Sequence, residues 1–356
     1  MPQRLSAINC VSPAFEQAKQ QLFKPFRFRH WLRLAAVCLV TGDFAGGGGW
    51  SGGNFNVPSP QHKRTATFLA LAAPGWEQFR PFLVWILLGV ALLFGLLILW
   101  LYAASVYRFI LFDAVLYNRC ELRKGWHRWE KQGSSYFLFI IALGLGLPTT
   151  LLLLIGGPIF FVWRAGVFRH PGEHLVLLIL GGFALVLLFF AVILAGALVG
   201  LFAKDFAVPL MALEDLGMMD AWRRMSPMLA AEKGAFAGYV LMKIVLAVGS
   251  AILFGIITVL AVLALLIPLG ILGLVIFLIA RAGGATWNLT TISAVVLLGC
   301  AALTALFYVV AFVSTPAMVF FQSYTLHFFG SRYARLGDVL FGTPPPEPHA
   351  PPAPAT

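Results

Sequence analysis

The chain has 356 residues, 60% of them hydrophobic and only 11% charged, with a mean hydropathy of +0.89. Soluble globular chains carry roughly a quarter charged residues, so a water-soluble enzyme or binding domain is excluded and the bilayer is the solvent. The net charge of +11 lies mostly in loops and the N-terminal region, where cations set topology and meet anionic lipid, so membrane lipids and not nucleic acid are the partners read from it.

The predicted organisation has four parts in chain order: a basic N-terminal region over 1–45, a Gly/Pro-rich loop over 46–80, a multipass membrane domain over 81–328 and a Pro-rich tail over 329–356. Residues 1–30 are polar and basic, so the first apolar run starts too late for a secretory signal peptide. A short amphipathic helix is expected over 15–23. The run 31–44 covers about 21 Å at 1.5 Å per residue, short of the ~30 Å hydrocarbon core, and it crosses only if Arg27, Arg29 and Arg33 snorkel to the headgroups. Gly46 to Gly49 and Gly52-Gly53 read as a flexible loop, because a phosphate cradle needs a following Lys-Ser/Thr and a helix start.

Four further runs, 82–106, 136–162, 174–201 and 290–318, are long and apolar enough to span. The run 236–280 would reach about 67 Å as one helix, more than twice the core, and is expected to fold back or bend near Ile267-Pro268-Leu269-Gly270. The expectation is therefore an all-α integral membrane protein with six or seven transmembrane helices and amphipathic interfacial helices.

Lys and Arg number six over 1–33, six over 107–135 and four over 202–235, against three over 45–80 and two over 163–173. If 31–44 crosses, the first set shares one side, sixteen against five, and the positive-inside rule places it in the cytoplasm with the N-terminus. The predicted location is the cell inner (plasma) membrane.

Between two apolar runs lies the polar stretch 202–243, read as an elbow at the membrane surface. Met218, Trp222, Met225 and Leu229 recur at helical spacing and form one apolar stripe, with Asp220, Arg223 and Arg224 mostly off it. Such a helix is expected to lie flat among the headgroups. Lys204, Asp205 and Lys243 are ionisable groups in or beside spans, which makes them candidates for a substrate or proton site. The plainer reading is that Lys243 snorkels while Lys204 and Asp205 mark the interface. These nine residues, Leu229 aside, form the candidate interfacial or partner surface.

His170-Pro-Gly-Glu-His174 fits the H-x-x-E-H zinc peptidase pattern, but Pro171-Gly172 favours a turn over the helix that would put both histidines on one face. Cys10, Cys38, Cys120 and Cys300 show no C-x-x-C spacing, and neither a disulfide framework nor a thiolate metal site follows. No catalytic, metal or cofactor residue is assigned.

Several segments carry a family likeness. They are Lys24-Pro-Phe-Arg-Phe-Arg-His-Trp-Leu-Arg-Leu, the NFNVP of the glycine-rich loop, Arg108-Phe-Ile-Leu-Phe-Asp-Ala-Val-Leu, Asp205-Phe-Ala-Val-Pro-Leu-Met, Ala221-Trp-Arg-Arg and Gln322-Ser-Tyr-Thr-Leu-His-Phe-Phe-Gly. Together they resemble an uncharacterised family of bacterial and archaeal multipass membrane proteins. That family is distantly similar to the membrane domain attached to some glycerophosphodiester phosphodiesterases. The resemblance implies an all-helical membrane fold and no activity, since this chain carries no phosphodiesterase domain. The function expected is non-catalytic: organising the membrane, or binding a protein or lipid partner. The alternatives are a transporter or lipid-handling protein and, further off, an intramembrane metalloenzyme.

Overall fold

The computed structural model describes residues 5–24, 27–42, 76–118, 120–167, 172, 174–283 and 288–342, and every regular element among them is a helix. Two short helices, α1 (Val11–Phe23) and α2 (Phe28–Thr41), precede the long α3 (Trp76–Tyr117). Then come α4 (Leu122–Leu151), a π turn (Leu152–Gly156) and α5 (Gly157–Arg164). After α6 (Leu175–Phe202) the chain makes a second π turn (Ala203–Ala207) and the elbow helices α7 (Val208–Glu214) and α8 (Met218–Ala231). Two long helices, α9 (Lys233–Ala282) and α10 (Leu289–Gly330), and the short α11 (Ala334–Phe341) complete it.

Five helical stretches among the described residues are long and apolar enough to cross a membrane: Leu83–Tyr117, Leu122–Arg164, Leu178–Glu214, Lys233–Ile279 and Thr291–Gly330. Four of them overlap the runs expected to span, and Lys233–Ile279 covers most of the run expected to fold back or bend. In lipid a helix is the one open-ended structure that satisfies its own backbone, so apolar runs this long have no competing conformation.

The packed core is confined to one end of these helices. Phe109, Ile110, Leu111, Phe112, Tyr136, Phe206, Leu210, Tyr239, Tyr324, Phe328 and Phe329 are buried there, while Leu93, Phe94, Phe183, Phe190, Leu260 and Leu297 stand more than half exposed on the same helices. Burial is thus concentrated in a knot at one end of the helices, and the apolar shafts beyond it are exposed. Both the start and the end of the chain tie into that knot. Tyr324 donates to the Ala7 carbonyl at 3.1 Å, and Arg332 donates to the Leu5 carbonyl at 3.2 Å.

The fourteen-residue α2 is one wall of the knot. Trp31 donates to the Phe312 carbonyl at 3.3 Å and stacks on the Phe312 ring at 5.3 Å, and Tyr308 donates to the Leu32 carbonyl at 2.8 Å. Gly42 ends α2 with φ +68°, a conformation glycine adopts without the Cβ clash.

Two departures from the sequence expectation concern length. Of the two outcomes expected for the run 236–280, the fold-back does not occur: α9 continues for 50 residues with Pro268 inside it. A proline removes one helical hydrogen bond, which an apolar helix in lipid loses less by accepting than by unwinding several unsatisfied peptide groups. Within the stretch read as a tail, α11 forms and buries Leu336. A Cβ built on Gly337 would stand 2.7 Å from the Gly330 carbonyl oxygen, so glycine is what lets α11 meet the end of α10.

The two π turns share a cause. Pro158 and Pro209 each stand two residues past a π turn. Neither can donate to the carbonyl four residues back, at Leu154 and Asp205, and the ring crowds that carbonyl, so the helix widens there. The second of these widenings sets the site.

Candidate functional site

Pro209 makes Asp205 part of a π turn at the inner end of α6, and the widened turn directs its side chain between α9 and α10. Lys243 lies ten residues into α9, roughly 15 Å along its axis. Its Nζ donates to Asp205 Oδ2 at 2.5 Å, with side-chain exposures of 5% and 3%. Tyr239, one turn earlier on the same face, donates its hydroxyl to the same carboxylate oxygen at 2.9 Å, and Thr325 Oγ1 of α10 stands 2.8 Å from that hydroxyl. Three helices are joined through one carboxylate.

A sheath of rings closes the cluster. Tyr239 stacks on Tyr324 at 5.4 Å with only 7° between planes and meets Phe206 at 5.1 Å and Phe328 at 4.6 Å, and Phe236 packs on those two rings at 5.3 and 5.6 Å. With water excluded, the attraction between the charges is screened little, and each lost bond would leave a costly unpaired group. Beside the pair lies a cavity of about 10 Å³, lined by Lys204, Asp205, Lys243, Gln322 and Thr325, room for roughly one water molecule. An organic substrate does not fit in it.

A second carboxylate holds the outer side of the knot. Glu214, at the end of α7, accepts from the Tyr333 hydroxyl and pairs with Arg224 Nε at 3.0 Å and Arg335 Nη1 at 3.8 Å. Burial and then the hydrogen bond to Glu214 push the Tyr333 phenol up to about 12. Asp215 follows in a left-handed conformation, φ 55°, and accepts from Gln132 of α4, which fixes the corner between α7 and α8. Arg332 completes the outer set, pairing with Glu232 at 2.9 Å and lying over the Phe328 ring at 3.9 Å.

The candidate residues read from the sequence divide into three groups. Lys204, Asp205 and Lys243 come together, all at least 92% buried, which corrects the reading of Lys243 as snorkelling and of Lys204 and Asp205 as interface markers. Lys243 turns inward because Asp205 offers it a partner that headgroups cannot match at that depth. Met218 and Met225 are 3% and 0% exposed, buried in the knot and not sunk among headgroups. The apolar stripe of α8 faces α4, where the Met218 N–H donates to Ser135 Oγ at 3.0 Å and the Trp222 ring lies 6.2 Å from Phe139. Asp220, Arg223 and Arg224 form the outer face: Asp220 and Arg223 are 3.9 Å apart and largely exposed, and Arg224 reaches Glu214.

Sequence reasoning passed over Tyr239, Thr325, Glu214 and Tyr333. A Tyr four residues before a membrane lysine is a signal for the first, since i and i+4 share a helix face. Nothing local marks the other three. Of His170-Pro-Gly-Glu-His174, the residues His170, Pro171 and Glu173 lie outside the described residues. Among the described residues no group of three or more His, Cys, Asp or Glu side chains stands close enough to hold a metal ion.

A family model described as a family of unknown function (DUF7544) matches residues 5–339, and the chain belongs to that family. No curated protein and no solved structure matches the chain.

Proposed function

We propose that this member of the DUF7544 family is a multipass protein of the cell inner membrane that works without catalysis, organising the membrane or binding a lipid or protein partner through its lipid-facing helices. The observation that carries this reading is the distribution of polarity. Asp205 with Lys243 and Glu214 with Arg224 pair within the knot, the first beside a cavity of about 10 Å³, whereas the shafts of five helices offer long apolar surfaces. Polar groups hold helices together, and recognition falls to the shafts.

Six crossings fit this arrangement. The knot gathers α1, the end of α3, the start of α4, the elbow, the start of α9 and the end of α10. The start of α3 then lies on the far side, and α2, whose Gly42 end lies beside Trp100 of α3, is the marginal sixth crossing. The knot side also carries the larger share of Lys and Arg, and the positive-inside rule makes it cytoplasmic. The distant similarity to the membrane domain attached to some glycerophosphodiester phosphodiesterases belongs to this proposal and brings no hydrolase activity.

The test is photocrosslinking in native membranes from Leu97, Phe183 and Leu260, three exposed shaft positions, with Arg335 of the knot as control. Discrete lipid or membrane-protein adducts at a shaft position, and none at position 335, are expected. Adducts at position 335 alone would overturn the reading.

Transport is the second reading, favoured by one observation: a buried charge pair beside a π turn within a span, a combination found along ion and substrate paths. Flux into proteoliposomes that Asp205→Asn abolishes would replace the first reading with this one.

A further inference from the structure

Between α6, the end of α8 and the start of α9 runs a cleft of about 580 Å³, within the range of roughly 300–1,000 Å³ typical of ligand sites. Its walls are apolar, with Leu194, Leu198 and Phe202 on one side and Phe236, Val240 and Ile244 on the other. The one charged side chain lining it is Lys233, exposed at its upper end.

The dimensions of the cleft match one leaflet. From Lys233 to Ile244 the eleven residues of α9 rise roughly 16 Å, and half of a ~30 Å hydrocarbon core is about 15 Å. With Lys233 set at the headgroup level, a trough of this length would reach the bilayer midplane. The small Ala237 lines the cleft between these walls.

We propose that this cleft is a binding site for an anionic phospholipid of the leaflet on the knot side, with one acyl chain along the trough and the phosphate at Lys233. The proposal rests on the lipid-binding reading above and narrows it to one site and one headgroup charge. A zwitterionic lipid fills the same trough but gains less at the mouth. One interfacial lysine contributes about 1 kcal/mol towards an anionic surface, which converts to a preference of about fivefold.

The full chain is reconstituted into phosphatidylcholine vesicles carrying a trace of phosphatidylglycerol or phosphatidylcholine spin-labelled deep in the acyl chain. The motionally restricted fraction is read by electron paramagnetic resonance. Wild type is expected to hold phosphatidylglycerol about fivefold more strongly than phosphatidylcholine, less so at high salt. Lys233→Glu should abolish the preference and Lys233→Arg should keep it. Ala237→Phe, which fills the trough, should lower the restricted fraction of both lipids. Leu260→Phe, exposed on the same helix outside the cleft, should lower neither.

Equal retention of the two lipids by wild type overturns the proposal, as does a restricted fraction unmoved by Ala237→Phe. An equal loss in Leu260→Phe overturns it too, because the restriction would then be that of any shaft surface. If the cleft fails while photocrosslinking from the shafts still captures lipid or protein, the broader reading stands without this site. If both fail, both are lost.

Discussion

Lys243 Nζ lies 2.5 Å from Asp205 Oδ2, and the pair links the π turn after α6 to α9 at a depth of almost three helical turns. A carboxylate or ammonium left alone there has no solvent to turn to. Removing one partner of a buried pair costs roughly 3–5 kcal/mol, whereas replacing both with apolar groups of like volume is often neutral or favourable. Asp205→Ala and Lys243→Ala should each lower the thermal midpoint in detergent sharply. Asp205→Leu with Lys243→Met should recover most of the loss. A double variant as unstable as the sum of the singles would show that the two side chains act independently.

Helix α4 passes close to α3 at Gly133. A Cβ built there falls 2.7 Å from Val106 Cγ2 and 3.1 Å from Val106 Cα, and the second contact is backbone that cannot rotate away. Gly133→Ala should therefore push the helices apart at a cost of about 1–3 kcal/mol, the range for overpacking. Gly146→Ala, thirteen residues further along α4, meets nothing within 4 Å and should be neutral. Denaturation in mixed micelles compares the two.

Burial raises the Cys10 and Cys120 thiols to about 11, each partly opposed by a guanidinium, Arg332 and Arg33 respectively. A thiol raised in the folded state contributes stability that is full below its ordinary value of 9.0 and lost as pH rises towards 11. The melting temperature should fall over that window, and less steeply in Cys10→Ala. Near neutral pH a hydrophilic maleimide should modify Cys10 and Cys120 only after the chain is unfolded.

Much of the frame was legible because membrane physics leaves few choices. Runs such as 82–106 and 174–201 have one way to satisfy their peptide groups, and each lies in a long helix. The family likeness was equally open, its motifs falling at Phe109 to Val115, Asp205 to Met211 and Tyr324 to Phe329, in the buried knot. What stayed hidden was pairing across distance. Asp205, Lys243 and Thr325 are separated by 38 and 82 positions, and an isolated membrane lysine reads equally well as snorkelling until its carboxylate is located. Amphipathicity has the same ambiguity: the stripe of α8 announces a buried face and does not say whether lipid or protein covers it.

Topology gives a further test. With single cysteines in a Cys-free background, positions 19, 124, 224 and 335 should share one side of the membrane and position 172 the other. Position 53, outside the described residues, should label with position 172 if α2 crosses. An impermeant maleimide on intact cells reads the sides. Positions 19 and 53 behaving alike would reduce the six crossings to five.

The helix α8 allows its two possible coverings to be separated. A surface helix sunk in the headgroup boundary exposes its stripe to lipid, so oxygen dissolved in the acyl region reaches every label along it. A helix clamped to protein shields the stripe from oxygen and from water alike. With Ala221 and Met225 fully buried and Met218 at 3%, spin labels at these positions should be reached by neither oxygen nor a polar relaxation agent. Labels at Arg223 and Arg224 should be reached from water, because both stand on the exposed face. Trp222 and Leu229 are half-buried at the edges of the stripe and should be intermediate, with the oxygen contact stronger at Leu229, which lines the lipid-facing cleft. Met225→Asp would bury a carboxylate with no cation beside it, and should release α8 from α4 so that water reaches the whole helix. Arg223→Asp, on the outer face, should leave the pattern unchanged. Oxygen accessibility at Met225 equal to that at Leu229 would mean that lipid covers the stripe after all.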